Sequence, residues 1–285
     1  MFLLVGGDSE IGRVAAAHLG GCALATTRRP RCDGGTRIAL DLADDLSAWE
    51  PPAGITSACI LAAMARLADC EKDPAGTARV NVTGTLALAE RLIAHGVHVL
   101  FLSSNQVFDG ATPQMPADAP TAPESEYGRQ KARTEAALRT HMERGAPVAI
   151  LRLAKVVSRE TALVRDWTAA LKARMPIRAF HDMTMAPVAA ATVARAIEAL
   201  MTDRATGIFQ LSGPRDVAYT DVGRFLAERL GADPFLVARA SRVQSGAPAG
   251  AAPPHTTLDS RALAERYGIA VPDAWEVMQR LLSQS

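Results

Sequence analysis

What the chain lacks narrows it first. Its 285 residues contain no apolar run near the roughly 18 needed to cross a bilayer, and even residues 148–157 are broken by Arg152 and Lys155. An excess of one charge is missing too. The 31 basic and 30 acidic residues leave a formal net charge of +1, which makes no electrostatic case for nucleic acid or an anionic membrane. Only four cysteines occur, Cys22, Cys32, Cys59 and Cys70, with no C-x-x-C pair and no Cys/His metal spacing. They read as reduced thiols, Cys59 in a strand, and with the six histidines scattered no metal is expected. There is no internal repeat, and Met1-Phe2-Leu3-Leu4-Val5 has no basic leader region, so a cytoplasmic protein is expected. The apolar content of 48% over this length suffices for a sizeable core in one large or two small units.

What is present begins with a strand, a glycine turn and a helix. The apolar run 2–5 meets Gly6-Gly7-Asp8-Ser9-Glu10-Ile11-Gly12, then a helical pattern over 14–19 that ends at Gly20-Gly21. Backbone amides at such a helix start suit a pyrophosphate, and Gly12 permits close helix–strand packing. Ser9 stands at the middle position of the G-x-x-G-x-x-G spacing, where its hydroxyl can donate to a phosphate. A second strand, 22–26, ends in Thr27-Arg28-Arg29-Pro30 and not in an acid. An arginine there accommodates the 2′-phosphate of NADP, so NADP(H) is favoured over NAD(H), although paired arginines also suit a solvated turn. The third strand, 37–40, runs into Asp41-Leu42, where a carboxylate could accept from the adenine amino group. The fourth, 58–61, ends in Ala62-Ala63-Met64, mostly small side chains that let a cofactor lie against the backbone.

A loop over 66–74 and a continuous helix through Val80-Asn81-Val82 to Ala94 are expected next, with Asn81 bonding backbone or water near the site. A fifth strand, 97–102, delivers Ser103-Ser104 at its carboxyl end, where ligands of open α/β sheets bind. The helix that follows carries Tyr127 and Lys131, four apart and therefore on one face. Ser125 caps it, Pro120 and Pro123 precede it, and Gly145 closes it. A neighbouring ammonium should pull the Tyr127 hydroxyl below its ordinary value of about 10 and so make it a useful proton donor and acceptor. By itself, Tyr-x-x-x-Lys also fits an ordinary amphipathic helix face.

Six strand–helix alternations within 155 residues predict an α/β protein with a Rossmann-type, doubly wound parallel sheet. The expected division is a nucleotide-binding part over 1–155, rejoined by a strand near 207–212, and a smaller α+β substrate-binding part over 156–285. In that second part, helices are expected over 161–174, over 190–201 and, capped by Thr220, up to Gly231. The Gly/Ala/Pro-rich stretch 245–254 reads as a mobile connector or lid, and two short helices close the chain.

Taken together, these residues resemble the extended short-chain dehydrogenase/reductase superfamily and, within it, the dTDP-4-dehydrorhamnose reductase branch. The carriers are the turn from Val5 to Gly12, Cys70-Glu71-Lys72-Asp73-Pro74 leading to Val80-Asn81-Val82-Thr83-Gly84-Thr85, the run from Ser103 to Gly110, Tyr127 with Lys131, and Thr256-Thr257-Leu258-Asp259. The resemblance implies that Ser104 polarises a carbonyl, Tyr127 exchanges the proton, Lys131 holds the nicotinamide ribose, and Asn81 supports the proton relay. It also implies a nucleotide-sugar substrate, contacts from Asp109, Met183, Thr184 and Pro187, and a homodimer. Where the branch has Ser-Thr-Asp-Tyr this chain has Ser103-Ser104-Asn105-Gln106, and Ala154-Lys155 stand where a Trp is usual. Superfamily enzymes that also epimerise place a Cys at the position of Asn105. The reading that follows is an NADPH-dependent reductase of a keto group on a nucleotide-activated sugar or a related polar small molecule. Its alternatives are a non-catalytic, NADP-binding regulatory subunit like the methionine adenosyltransferase β subunit, or a redox-neutral epimerase or dehydratase.

Overall fold

The computed structural model describes residues 1–28, 37–245 and 253–283; Arg29, Cys32 and most of the 245–254 connector lie outside them. The first half alternates as the hydrophobic pattern predicts. Strands β1 (Phe2–Val5), β2 (Ala23–Thr27), β3 (Ile38–Ala39), β4 (Ser57–Ile60), β5 (His98–Ser104) and β6 (Val148–Leu153) are joined by helices α1 (Glu10–Leu19), α2 (Leu67–Lys72), α3 (Pro74–Ala78), α4 (Thr85–Ala94) and α5 (Glu126–Glu143). The second half adds β7 (Val156–Val157), α6 (Ala162–Lys172), β8 (Ile177–Phe180), β9 (Thr184–Met185), β10 (Val188–Ala189) and α7 (Ala190–Thr202). It ends with β11 (Gly207–Leu211), β12 (Val217–Ala218), α8 (Tyr219–Arg229), β13 (Val237–Ala240), α9 (Arg261–Tyr267) and α10 (Ala274–Ser283).

Seven strands form one parallel sheet in the order β11-β6-β5-β4-β1-β2-β3. Sequence-adjacent apolar residues divide between its faces, as a pleated strand requires. Leu4, Cys59, Leu100, Leu102 and Leu151 face α1 and α7 on one side, while Leu3, Val5, Ile60, Val99, Phe101 and Ile150 face α4 and α5 on the other. A third cluster, with Val164, Leu171, Ile177, Val222, Leu226 and Val277, packs α6, α8 and α10 around β8. The strand order reverses between β1 and β4, so the helices that follow these two strands pack on opposite faces of the sheet and leave a crevice at the carboxyl edge.

Three expectations about local structure are corrected. The 66–74 loop is mostly the helix α2, and Asp73 caps α3 by accepting from the Gly76 amide at 2.9 Å. The helix expected through Asn81 is not continuous. Arg79–Gly84 form a π-helical turn, a feature that admits one extra residue per turn and turns Asn81 inward. Thr220 lies inside the first turn of α8 and does not cap it, because that helix already starts at Tyr219.

Candidate active site

The turn after β1 is built by its own hydrogen bonds. Gly6 has φ +92°, and an added Cβ would stand 2.9 Å from the Ala62 backbone at the end of β4, so only glycine lets the two loops approach. Its amide donates to Thr26 Oγ1 at 3.0 Å, and the Gly7 amide donates to the Thr26 carbonyl at 3.1 Å. Ser9 caps α1, accepting from the Gly12 amide at 3.0 Å and donating to the Gly6 carbonyl at 2.8 Å. Its proton is therefore held within the turn and not aimed outward at a phosphate, contrary to expectation. Ile11 packs against the α1–α7 side of the core. Glu10 turns to the second half of the chain, where its Oε1 accepts from Ser158 Oγ at 2.5 Å and from Thr161 Oγ1.

Gly6, Ser9, Arg28, Leu42, Ala62, Ala63 and Met64 meet around one cleft of about 470 Å³. Asp41 does not line it; its carboxylate accepts from the Ala43 amide at 2.9 Å within its own turn. Three charged lining residues were not anticipated. Arg13, from the second turn of α1, and Arg37 join Arg28, while Asp8 binds Thr27 Oγ1 at 2.5 Å and Arg37. Arg13 could have been found by counting one helical turn on from Ser9 toward the cleft; Arg37 carries no sequence signal beyond its charge. A glycine turn too tight for a Cβ, small side chains opposite it and three guanidinium groups fit a dinucleotide bearing phosphates.

Asn81 links this cleft to the catalytic helix. Its Oδ1 accepts from the Met64 amide at 2.8 Å, and its Nδ2 donates to the Met64 carbonyl at 3.0 Å and to Gln130 Oε1 at 2.7 Å. Gln130 in turn donates to Thr77 Oγ1 at 2.9 Å. Both ends of the Asn81 amide are thereby engaged, so it positions the loop after β4 against α5.

Ser104 ends β5 and caps the short turn Asn105–Val107 by accepting from the Gln106 amide at 3.2 Å. That turn lies directly under the start of α5. A Cβ on Gly128 would stand 2.1 Å from the Gln106 carbonyl, and Ser125 Oγ donates to Gln106 Oε1 at 3.2 Å. Glycine next to Tyr127 thus brings the helix carrying the phenol onto the loop carrying the serine. Gly128→Ala must push them apart. It should cost about 1–3 kcal/mol in denaturant unfolding, as overpacking does, and lower kcat more than it raises KM.

Lys131 is buried. Its Nζ donates to the Leu102 carbonyl at 2.7 Å, stands 4.3 Å above the centre of the Phe101 ring and 5.9 Å from the Tyr127 ring centre. Burial lowers its ammonium to about 8, with Glu135 opposing that fall. The expected depression of Tyr127 is not found. Burial raises its hydroxyl well above the ordinary range, although part of the side chain stays accessible. The ammonium bonds backbone and not the phenol, so desolvation outweighs its attraction for a phenolate.

Lys131 sets a pH limb. A lysine whose folded pKa is depressed loses its proton as pH rises through that value, so any rate that needs the ammonium should fall above about pH 8. The stability effect has the opposite sign: the cost of burying the charge is fully present below about 8 and is relieved as pH rises toward 10.5. A kcat–pH profile, with Lys131→Met lacking the alkaline limb, checks this.

The four substrate-side residues do not line the dinucleotide cleft. Asp109 accepts from the Ala111 amide at 2.9 Å, Thr184 Oγ1 donates to the Pro254 carbonyl at 2.9 Å, the Met183 carbonyl accepts from Tyr219 at 3.1 Å, and Pro187 is buried beside Gly213. A return strap, 253–259, brings the Thr256-Thr257-Leu258-Asp259 stretch against the loop that follows Ser104. His255 donates its amide to the Gly110 carbonyl at 3.0 Å, Met115 donates its own to Thr257 at 3.2 Å, and Asp216 anchors Thr256 through its amide and hydroxyl, each at 2.7 Å. Among the described residues no His/Cys/Asp/Glu cluster could hold a metal, and no helix is long and apolar enough to cross a membrane.

Comparison with known proteins agrees with this geometry. The dTDP-4-dehydrorhamnose reductase of Sinorhizobium fredii is 28% identical over 234 residues, covering 78% of this chain and 77% of that protein. The fold is shared with dTDP-4-dehydrorhamnose reductase from Bacillus anthracis in complex with NADP, at a TM-score of 0.84 and 17% identity over 100% of this chain and 99% of the other. It is shared also with MoeE5 in complex with UDP-glucose and NAD, at 0.80 and 24% identity over 99% of each chain. The model of the family described as "RmlD substrate binding domain" matches residues 2–285. With that match running nearly end to end, the chain belongs to the RmlD substrate binding domain family, in the dTDP-4-dehydrorhamnose reductase branch of the short-chain dehydrogenase/reductase superfamily, a group of NAD(P)-dependent oxidoreductases.

Proposed function

We propose that this protein is an NADPH-dependent reductase of a keto group on a nucleotide-activated sugar. The observation that carries the reading is the packing of Gly128 onto the Gln106 backbone, which holds the Tyr127–Lys131 helix face against the Ser104 loop. In this reading residues 1–155 and β11 hold the cofactor, and the rest of 156–285 shapes the substrate pocket. Bound NADPH would supply the hydride. Ser104 donates a hydrogen bond to the substrate carbonyl and favours the developing negative charge on its oxygen. Tyr127, whose hydroxyl stays protonated at neutral pH, gives that oxygen its proton. Lys131 keeps a positive charge beside the phenol and can bond a cofactor hydroxyl, while Asn81 keeps the loop after β4 in register with α5.

The test is loss of reduced-cofactor absorbance with NADPH or NADH against dTDP-, UDP- and GDP-4-keto sugars. Turnover names the nucleotide. Tight NADPH binding without turnover on any of them would overturn the reading in favour of a regulatory subunit.

Preference for NADPH over NADH rests on Arg13, Arg28 and Arg37, which line the end of the cleft beside β2. Arg37 is already bound to the Asp8 carboxylate and Arg13 donates to the Asp8 carbonyl at 2.6 Å, which leaves Arg28 as the better partner of a 2′-phosphate. Arg28→Ala should raise KM for NADPH roughly tenfold, the worth of one charge-assisted hydrogen bond, and leave KM for NADH unchanged. An equal rise for both cofactors would count against the preference.

A further inference from the structure

Building on the reading that the cleft beside β2 holds NADPH, we propose that Asp8 is a specificity-determining residue whose carboxylate binds the adenosine ribose diol of an unphosphorylated cofactor. The cleft then takes NADH as well as NADPH, and Asp8 sets how far the second is preferred. In doubly wound sheets that use NAD, an acid at the end of β2 accepts from the ribose hydroxyl. Here β2 ends in Thr27, followed by Arg28. The fold brings an acid to that place from the glycine turn after β1. Asp8 Oδ2 accepts from Thr27 Oγ1 at 2.5 Å, and its Oδ1 accepts from Arg37 Nη1, one residue before β3.

That carboxylate keeps room for a ligand. It offers about four acceptor positions, Thr27 and Arg37 use two of them, and 42% of the side chain stays exposed on the wall of the cleft. A ribose 2′-hydroxyl can donate to the remaining positions; a 2′-phosphate of like charge is repelled. Asp8 also restrains the cations that favour the phosphate. Arg37 is paired with its carboxylate, and Arg13 Nη1 donates to its backbone carbonyl at 2.6 Å. Removing the charge of Asp8 therefore acts twice, ending a repulsion and releasing Arg37 toward the phosphate. If Asp8 did no more than tie the turn to β2, its loss would affect both cofactors alike.

The test is calorimetric titration of 5′-AMP and of adenosine 2′,5′-bisphosphate into the full chain, followed by NADH and NADPH binding read from tryptophan fluorescence. None of these readouts needs turnover, so failure to reduce any keto sugar would sink the substrate reading and leave this assignment standing. Wild type should bind the two nucleotides within about tenfold of each other, the worth of one charge-assisted bond. Asp8→Asn keeps the shape of the side chain and an acceptor for Thr27 while removing the charge. It should weaken 5′-AMP and NADH by roughly threefold to tenfold and tighten the bisphosphate and NADPH by about tenfold, with the unliganded Tm reporting that the variant folds. A wild-type preference for the 2′-phosphate above that range would overturn the proposal without recourse to any variant. So would absence of 5′-AMP and NADH binding by wild type, or an Asp8→Asn protein that weakens both nucleotides equally or leaves their ratio unchanged.

Discussion

Tyr127→Phe is expected to lower kcat for keto-sugar reduction by about 10²–10⁴-fold, the usual worth of a positioned general acid, with little change in NADPH affinity. Phenylalanine keeps the ring that Lys131 faces at 5.9 Å and removes only the proton donor. Because burial holds the hydroxyl protonated, Tyr127 near neutrality is in the form that gives a proton, as keto-group reduction requires. Ser104→Ala should cost a comparable factor, and the double variant little more than either single one, since the two groups act on one oxygen. Single-turnover rates with prebound NADPH would measure the chemical step; a kcat for Tyr127→Phe equal to that of wild type would rule this mechanism out.

The largest stability effect is expected at Glu135. Its carboxylate faces Arg152, which is fully buried on β6 between β5 and β11. Arg152 Nη2 and Nε donate to it at 2.7 and 3.1 Å, and Nη1 donates to the Ala117 carbonyl at 3.0 Å and to Gln210 Oε1 at 3.3 Å. The guanidinium also stands 4.8 Å over the Phe108 ring. Glu135→Ala leaves a buried cation without its counter-charge, and the expected cost is about 3–5 kcal/mol in denaturant unfolding. Replacing both partners, as in Glu135→Leu with Arg152→Met, should recover most of that loss, because two apolar side chains need no solvation. Glu135 lies one turn beyond Lys131 on α5, and its charge works against the fall in the Lys131 pKa. Glu135→Gln should therefore move the alkaline limb of the kcat profile to lower pH. A limb that stays in place would exclude Lys131 as its source.

Local patterning was enough for the frame. Alternating apolar strands, the glycine turn after Val5 and the Ser125 cap each act through near neighbours in the chain, so the parallel sheet, the dinucleotide cleft and the Tyr127–Lys131 helix face could be read directly. The strand 207–211 also rejoined the sheet beside β6, as its apolar run suggested. What failed were inferences about side-chain partners. Ser9 and Asp41 carry polar atoms that could reach a ligand, but the backbone amides of Gly12 and Ala43 lie closer and take them. The expected low pKa of Tyr127 rested on a spacing of four residues. Its actual direction depends on desolvation by burial, with the charge interaction of Cys70 acting the same way, and only packing assembles both.

The order of the elements and the apolar face of each follow from the chain alone, because helix and strand periodicity are properties of adjacent residues. Folding in three dimensions brings Asp8, Arg13 and Arg37 to Arg28, and lets Asn81 join Met64, 17 residues before it, to Gln130, 49 residues after it. It alone placed Arg152 against Glu135. The physical reason is the same in each case. Charge pairing, desolvation and hydrogen-bond satisfaction depend on distances between residues far apart in the chain, and those distances exist only once the sheet has closed.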